Sequence, residues 1–245
     1  MLAFMKPFRT APQVSFGVFL VLSGCGGGDG FKISRPAAQR PDWDDQRVAK
    51  SPLRLPADEP LNVVLFKSGQ EGAARGTASA SERGVATAAA EANNDGSAWG
   101  EFQIGHCFDN ISGRRMTAVV RVRLAAKRKV AAPPEEAQTT AQTTLTFFVK
   151  DSNGATLHQE SVAGGDSRKG PAEWSGDHEF AFDAVFAPDL GYYLFLAARA
   201  DARGADGRSA SASVEVSRCE LTLEWGPVRS ARSGDDAQRV STVAP

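Results

Sequence analysis

The most constraining feature of this chain is a two-residue alternation that returns in segment after segment. Ala118, Val120, Val122 and Leu124 share one parity, and Val119, Arg121 and Arg123 the other. That is the pattern of a strand with one face buried and one face wet. Phe102, Ile104, His106 and Phe108 likewise oppose Trp99, Glu101, Gln103 and Cys107. Phe180, Phe182 and Phe186 recur at even spacing, and the runs Leu61 to Phe66, Thr143 to Val149 and Tyr192 to Ala200 are apolar, β-branched or aromatic. From Val214 to Trp225 the apolar parity switches between Val216 and Cys219, which predicts a β-bulge near Ser217 and Arg218.

Turn chemistry separates these runs. Asn93-Asn94-Asp95-Gly96 reads as a hairpin turn, and Asp151-Ser152-Asn153-Gly154 as another. Val85 to Asn93 is alanine-rich, which favours helix, but it is short and runs into the hairpin signal, so it reads as a strand. Glu71 to Ser81 is small and glycine-rich and reads as a loop, as does the polar stretch from Val162 to about Gly176. Eight or nine short strands without a strong amphipathic helix predict an all-β fold, a two-sheet antiparallel β-sandwich. A jelly roll is one topology such a chain can take. A second comes from Pro188-Asp189-Leu190-Gly191-Tyr192-Tyr193-Leu194, which resembles the tyrosine corner of immunoglobulin and fibronectin type III-like domains. The resemblance implies an immunoglobulin-like sandwich in which Tyr192 or Tyr193 returns its hydroxyl to the backbone upstream.

The amino terminus reads as a targeting signal. Lys6 and Arg9 precede the uncharged apolar run Val14 to Leu22, which is too short to span a bilayer, for which about 20 residues are needed. The run ends in Leu22-Ser23-Gly24-Cys25, which resembles the lipobox of bacterial lipoproteins at all four positions. The resemblance implies export, cleavage before Cys25 and lipid on that cysteine, a stable anchor when two or three acyl chains are buried. Gly26 in place of Asp resembles the pattern of lipoproteins sorted to an outer membrane. On this reading residues 1–24 are a signal peptide, 25–60 a Pro-rich tether, 61–229 the sandwich and 230–245 a frayed tail. Asp42, Asp44 and Asp45 around Trp43 read as a solvated acidic part of the tether.

Removing Lys6 and Arg9 from 28 basic side chains leaves 26 against 29 acidic ones, a net charge of −3 that offers no field for nucleic acid. With Cys25 lipidated, Cys107 and Cys219 remain as an even pair in an exported chain, which predicts a disulfide worth about 4–5 kcal/mol on the chain-entropy model. Neither has a further Cys or His at ligand spacing, so a metal is not expected.

No catalytic signature stands out. There is no G-x-S-x-G elbow and no glycine-rich phosphate loop, and His106, His158 and His178 are far apart. Asp177-His178-Glu179 is dense in charge, but consecutive strand residues face opposite sides. Asp151, Asn153 and Gly154 share part of a calcium-loop pattern without its remaining acidic ligands and read as a plain turn. Trp99, Trp174 and Tyr193 are the candidates for a ligand platform, each also a candidate for core packing. The expected protein is therefore a lipid-anchored, non-catalytic envelope module without cofactor. It would bind a protein partner or a glycan; a carbohydrate-binding module and an enzyme assembled from distant residues are the alternatives.

Overall fold

The computed structural model describes residues 51–133, 138–169 and 172–226. The lipobox with Cys25, the tether as far as residue 50, Trp43 with its aspartates, and the tail from residue 227 lie outside the described residues.

Alternating burial translates directly into eleven strands: β1 (Leu53–Leu55), β2 (Val63–Glu71), β3 (Ala74–Ala80), β4 (Ala86–Asn93), β5 (Ser97–Asn110), β6 (Met116–Ala131), β7 (Thr140–Asp151), β8 (Thr156–Asp166), β9 (Ala172–Phe186), β10 (Leu190–Arg203) and β11 (Ser209–Gly226). All pair antiparallel. One sheet runs β3-β4-β11-β6-β9, with β1 also on β11; the other runs β2-β5-β10-β7-β8. The protein is thus an all-β, two-sheet antiparallel sandwich. The four strands β4-β11-β6-β9 laid over β5-β10-β7-β8 give the strand order of a jelly roll. The register of β11 on β6 breaks between Val216 and Arg218, where the parity switch placed a bulge.

Three segments differ from expectation. Ala74–Ala80, read as a loop, is edge strand β3, and Leu53–Leu55, read as tether, is β1 with both leucines buried on β11. In both cases the local signal is weak: small residues have little strand propensity, and three residues between prolines are too few to show a period. The Asn94–Gly96 turn reverses the chain as its residues demand, with Asn94 at φ 52. However, it hands the chain from β4 in one sheet to β5 in the other instead of closing a hairpin. The glycine-rich stretch after Val162 is likewise mostly strand, with Gly164 and Gly165 inside edge strand β8.

The two long sides of the sandwich differ. At the β2–β5 side the inter-sheet layer is built from Ala86, Ala88, Ala90, Ala92, Ala98 and Ala212, and the sheets approach closely. A Cβ on Gly100 would collide with the backbone oxygen of Thr77 and lie 3.0 Å from that of Ala89. At the opposite side the layer is aromatic, with Phe147, Phe180, Phe182 and Trp174, and β8 and β9 are edges of different sheets.

The expected disulfide is absent: Cys107 and Cys219 are not bonded to one another. The reason is parity. Cys219 points into the core from β11, whereas Cys107 sits on the outer face of β5, away from the other sheet. Burial pushes the Cys219 thiol up to about 12.

Candidate functional site

The tyrosine corner forms as the sequence suggested. Tyr192 is buried against Phe108 and Phe186, and its hydroxyl donates to the carbonyl of Ala187 at 3.1 Å. It closes the β9–β10 turn with Asn110, whose Nδ2 donates to the carbonyls of Arg114, Phe186 and Ala187 at 2.8, 3.0 and 3.0 Å. These groups are structural and offer nothing to a ligand. The same holds for Asp151, whose Oδ1 accepts the backbone N–H groups of Asn153 and Ala155 at 2.9 Å each and so completes the turn the sequence predicted.

The acidic pair around His178 is also accounted for. Asp177 and Glu179 face outward from β9, where Arg218 reaches Asp177 and Arg123 reaches Glu179, each at 3.1 Å. They rim a shallow hollow of about 250 Å³. His178 faces inward, packed on Phe180. Among the described residues no three His, Cys, Asp or Glu side chains converge as a metal site, and no helix is long and apolar enough to cross a membrane.

The three aromatic candidates are not brought together. Trp99 and Tyr193 both lie on the outer face of the β2-β5-β10-β7-β8 sheet. Tyr193 is in register with Cys107, eight residues from Trp99 along β5, or roughly 27 Å at strand rise. Trp174 belongs to the other sheet and packs inward against the core. A coplanar Trp/Tyr pair is therefore ruled out, and a polar face built on one tryptophan remains.

Trp99 has that setting. Its neighbour in register on β2 is Gly69, and a Cβ there would lie 2.6 Å from the indole Nε1 and 2.8 Å from Cε2. The missing side chain is what lets the ring lie across β2. Arg199 on β10 stands over the indole at 5.1 Å, and Lys67 on β2 at 5.7 Å, distances at which a cation is held by the ring face. Both cations are themselves fixed: Arg199 bonds Asp201 at 2.7 Å and Glu101 at 3.1 Å, and Lys67 bonds Glu101 at 2.9 Å. The Arg199 guanidinium is held further toward its charged form chiefly by the Asp201 hydrogen bonds. Two cations and two carboxylates around one indole leave no net charge at the surface.

Further along the same face, Phe195 fills the room over Gly105 and stacks on Phe148 at 5.5 Å, with Lys150 at 5.2 Å from the Phe148 ring. Sequence reading missed these residues and the cradle of Trp99. The signal was present in Phe147-Phe148, since two adjacent aromatics in one strand oblige one of them to face outward.

No protein-family model and no curated protein matches this sequence. Solved structures resemble the fold distantly. One, from work on carbohydrate-binding modules of the β-sandwich superfamily, is 11% identical over 66% of this chain and 57% of its own, with a TM-score of 0.25. Another is the CBM22-1 xylan-binding domain of Paenibacillus barcinonensis Xyn10C, at 13% identity over 66% of this chain and 86% of its own, TM-score 0.23. A structure of infectious bursal disease virus also matches, at 8% identity over 66% of this chain and 38% of its own, TM-score 0.22. The chain thus spans 57% of the first of these structures. Likeness this distant says nothing about a ligand.

Proposed function

We propose that this domain is a non-catalytic binding module that takes a neutral glycan on the outer face of its five-stranded sheet, with Trp99 as the stacking platform. The observation that carries this reading is the seat of Trp99: an indole laid over Gly69 and ringed by Lys67, Glu101, Arg199 and Asp201. A sugar ring presents C–H groups on its faces and hydroxyls at its rim. An indole stacks on the former once the sugar takes the place of the cations over its ring, and the displaced Lys67 and Arg199, with Glu101 and Asp201, hydrogen-bond the latter. Because the four charges are paired among themselves, a neutral saccharide fits better than a uronate or sulfated one. The module would be exported and tethered at a membrane by lipid on Cys25, a reading supported by Leu22-Ser23-Gly24-Cys25 alone.

Binding of the purified protein to an array of neutral and acidic polysaccharides tests the ligand class. Trp99→Ala should lose the neutral-glycan signal while keeping the wild-type circular dichroism spectrum. Retention of binding by the variant would overturn the assignment. For location, membrane fractionation of Cys25→Ala should move the protein into the soluble fraction.

A further inference from the structure

At the open side of the sandwich, β8 and β9 face one another as edges of different sheets, without a ladder between them. The inward side chains here are aromatic and polar together. His158 of β8 lies flat on Phe182 of β9, with ring centroids 3.7 Å apart and planes at 6°. One layer further along, Arg128 of β6 projects inward beside Trp174, its neighbour in register on β9, and opposite Thr143 of β7. A Cβ on Gly165 of β8 would collide with Arg128 Nη1 and lie 3.0 Å from Thr143 Oγ1. Guanidinium and hydroxyl therefore converge on one spot of glycine backbone.

Arg128 is half-buried and Thr143 buried, and atoms of both lie there without a partner. Arg128 Nε and Nη1 and Thr143 Oγ1 are sealed from solvent with no hydrogen-bond partner, and Thr143 is only 2% exposed. A guanidinium keeps its charge inside a protein, and buried N–H donors left without an acceptor cost their desolvation outright. Nothing in the packing asks for it: the preceding inward positions on the same strand, Val122, Leu124 and Ala126, are all aliphatic.

We infer that this is a second ligand site, separate from Trp99, which receives the carboxylate of a small monoanionic molecule between β8 and β9. Arg128 supplies the single positive charge and a planar set of donors, the group best matched to a carboxylate. Thr143 supplies one hydroxyl, and Trp174 an apolar flank. Entry requires only that edge strand β8 move outward. Its pairing with β7 is already broken in register between Leu145 and Thr146 and between Val149 and Lys150.

Thermal unfolding of the full chain is measured with sodium glucuronate, glucose and sodium chloride, the two salts at matched ionic strength. A saturable rise in Tm with glucuronate alone is expected. Arg128→Met should abolish that response and raise the ligand-free Tm. Thr143→Val should weaken the response several-fold, and Trp99→Ala should leave it intact, which separates this site from the outer face. Should Arg128→Met fail to fold, tryptophan emission serves instead: glucuronate should change it in the wild type and not in Trp174→Phe. A wild type that responds equally to glucuronate and chloride, or a Trp174→Phe or Arg128→Met variant that responds like wild type, overturns the inference.

Discussion

Replacing Asn110 by Ala is the sharpest test of how the β5–β6 and β9–β10 turns are locked. The side chain is buried at 1% exposure and serves both turns at once. Its Nδ2 donates to three carbonyls, and its Oδ1 accepts from the Ser112 hydroxyl at 2.6 Å and the Ser112 N–H at 3.2 Å. Alanine removes all of these. Arg114 and Ser112 are near the surface and can turn to water, whereas Phe186 lies in a buried corner. Net losses of about 1 kcal/mol per bond, and about 1–3 for a buried group left with less than its due, put the total near ~3 kcal/mol. Tyr192→Phe removes one bond only, to an Ala187 carbonyl that Asn110 still serves, and should cost about 1 kcal/mol. The two share an acceptor, so the double variant should lose more than the sum of the singles. Urea unfolding reads all three as midpoint shifts at constant slope. A Tyr192→Phe cost equal to or above that of Asn110→Ala, or strict additivity in the double variant, would refute the reasoning.

The buried Cys219 thiol carries a pH signature. Between about pH 9 and about 12 the unfolded chain loses the Cys219 proton while the folded chain keeps it, so stability present below that window falls as pH rises through it. Cys219→Ala should flatten this alkaline loss in a urea series, leaving the smaller contribution of Tyr192, whose hydroxyl burial also pushes up. Gly100→Ala should destabilise by about 1–3 kcal/mol or more, since the obstruction is backbone of β3 and β4, while Gly226→Ala, with open space around it, should be neutral by the same urea unfolding. Gly69→Val should leave the fold intact but displace the Trp99 indole, visible as altered tryptophan emission and lost glycan binding.

Much of the sandwich was legible because a half-buried strand writes its two faces into alternate residues. β5, β6 and β11 follow that pattern, including the bulge before Arg218. What failed was local signal too small to carry a period, as at Leu53–Leu55 and Ala74–Ala80. Strand order was not legible, because turn residues such as Asn94 and Gly96 specify a reversal and not the sheet that receives the next strand. The disulfide failed for a related reason. Counting cysteines says that two could pair, but the parities that separate Cys107 from Cys219 matter only once β5 and β11 are known to lie in opposite sheets. Trp99 was singled out on residue type, while its cradle was not legible, since Gly69, Lys67, Glu101, Arg199 and Asp201 come from three strands joined only by register. Trp174 and Tyr193 were grouped with it on residue type alone, and topology sent one into the other sheet and the other to the far end.

The central claim, a saccharide seated on Trp99, is tested most directly by two-dimensional ¹H–¹⁵N NMR during titration with a neutral oligosaccharide that the array identifies. The Trp99 indole N–H, the Arg199 Nε–H and the backbone amides of Lys67, Gly69 and Glu101 should shift together and saturate at one affinity. Shifts confined to the six-stranded sheet, or a titration that leaves the Trp99 indole unmoved while the sugar binds, would contradict it.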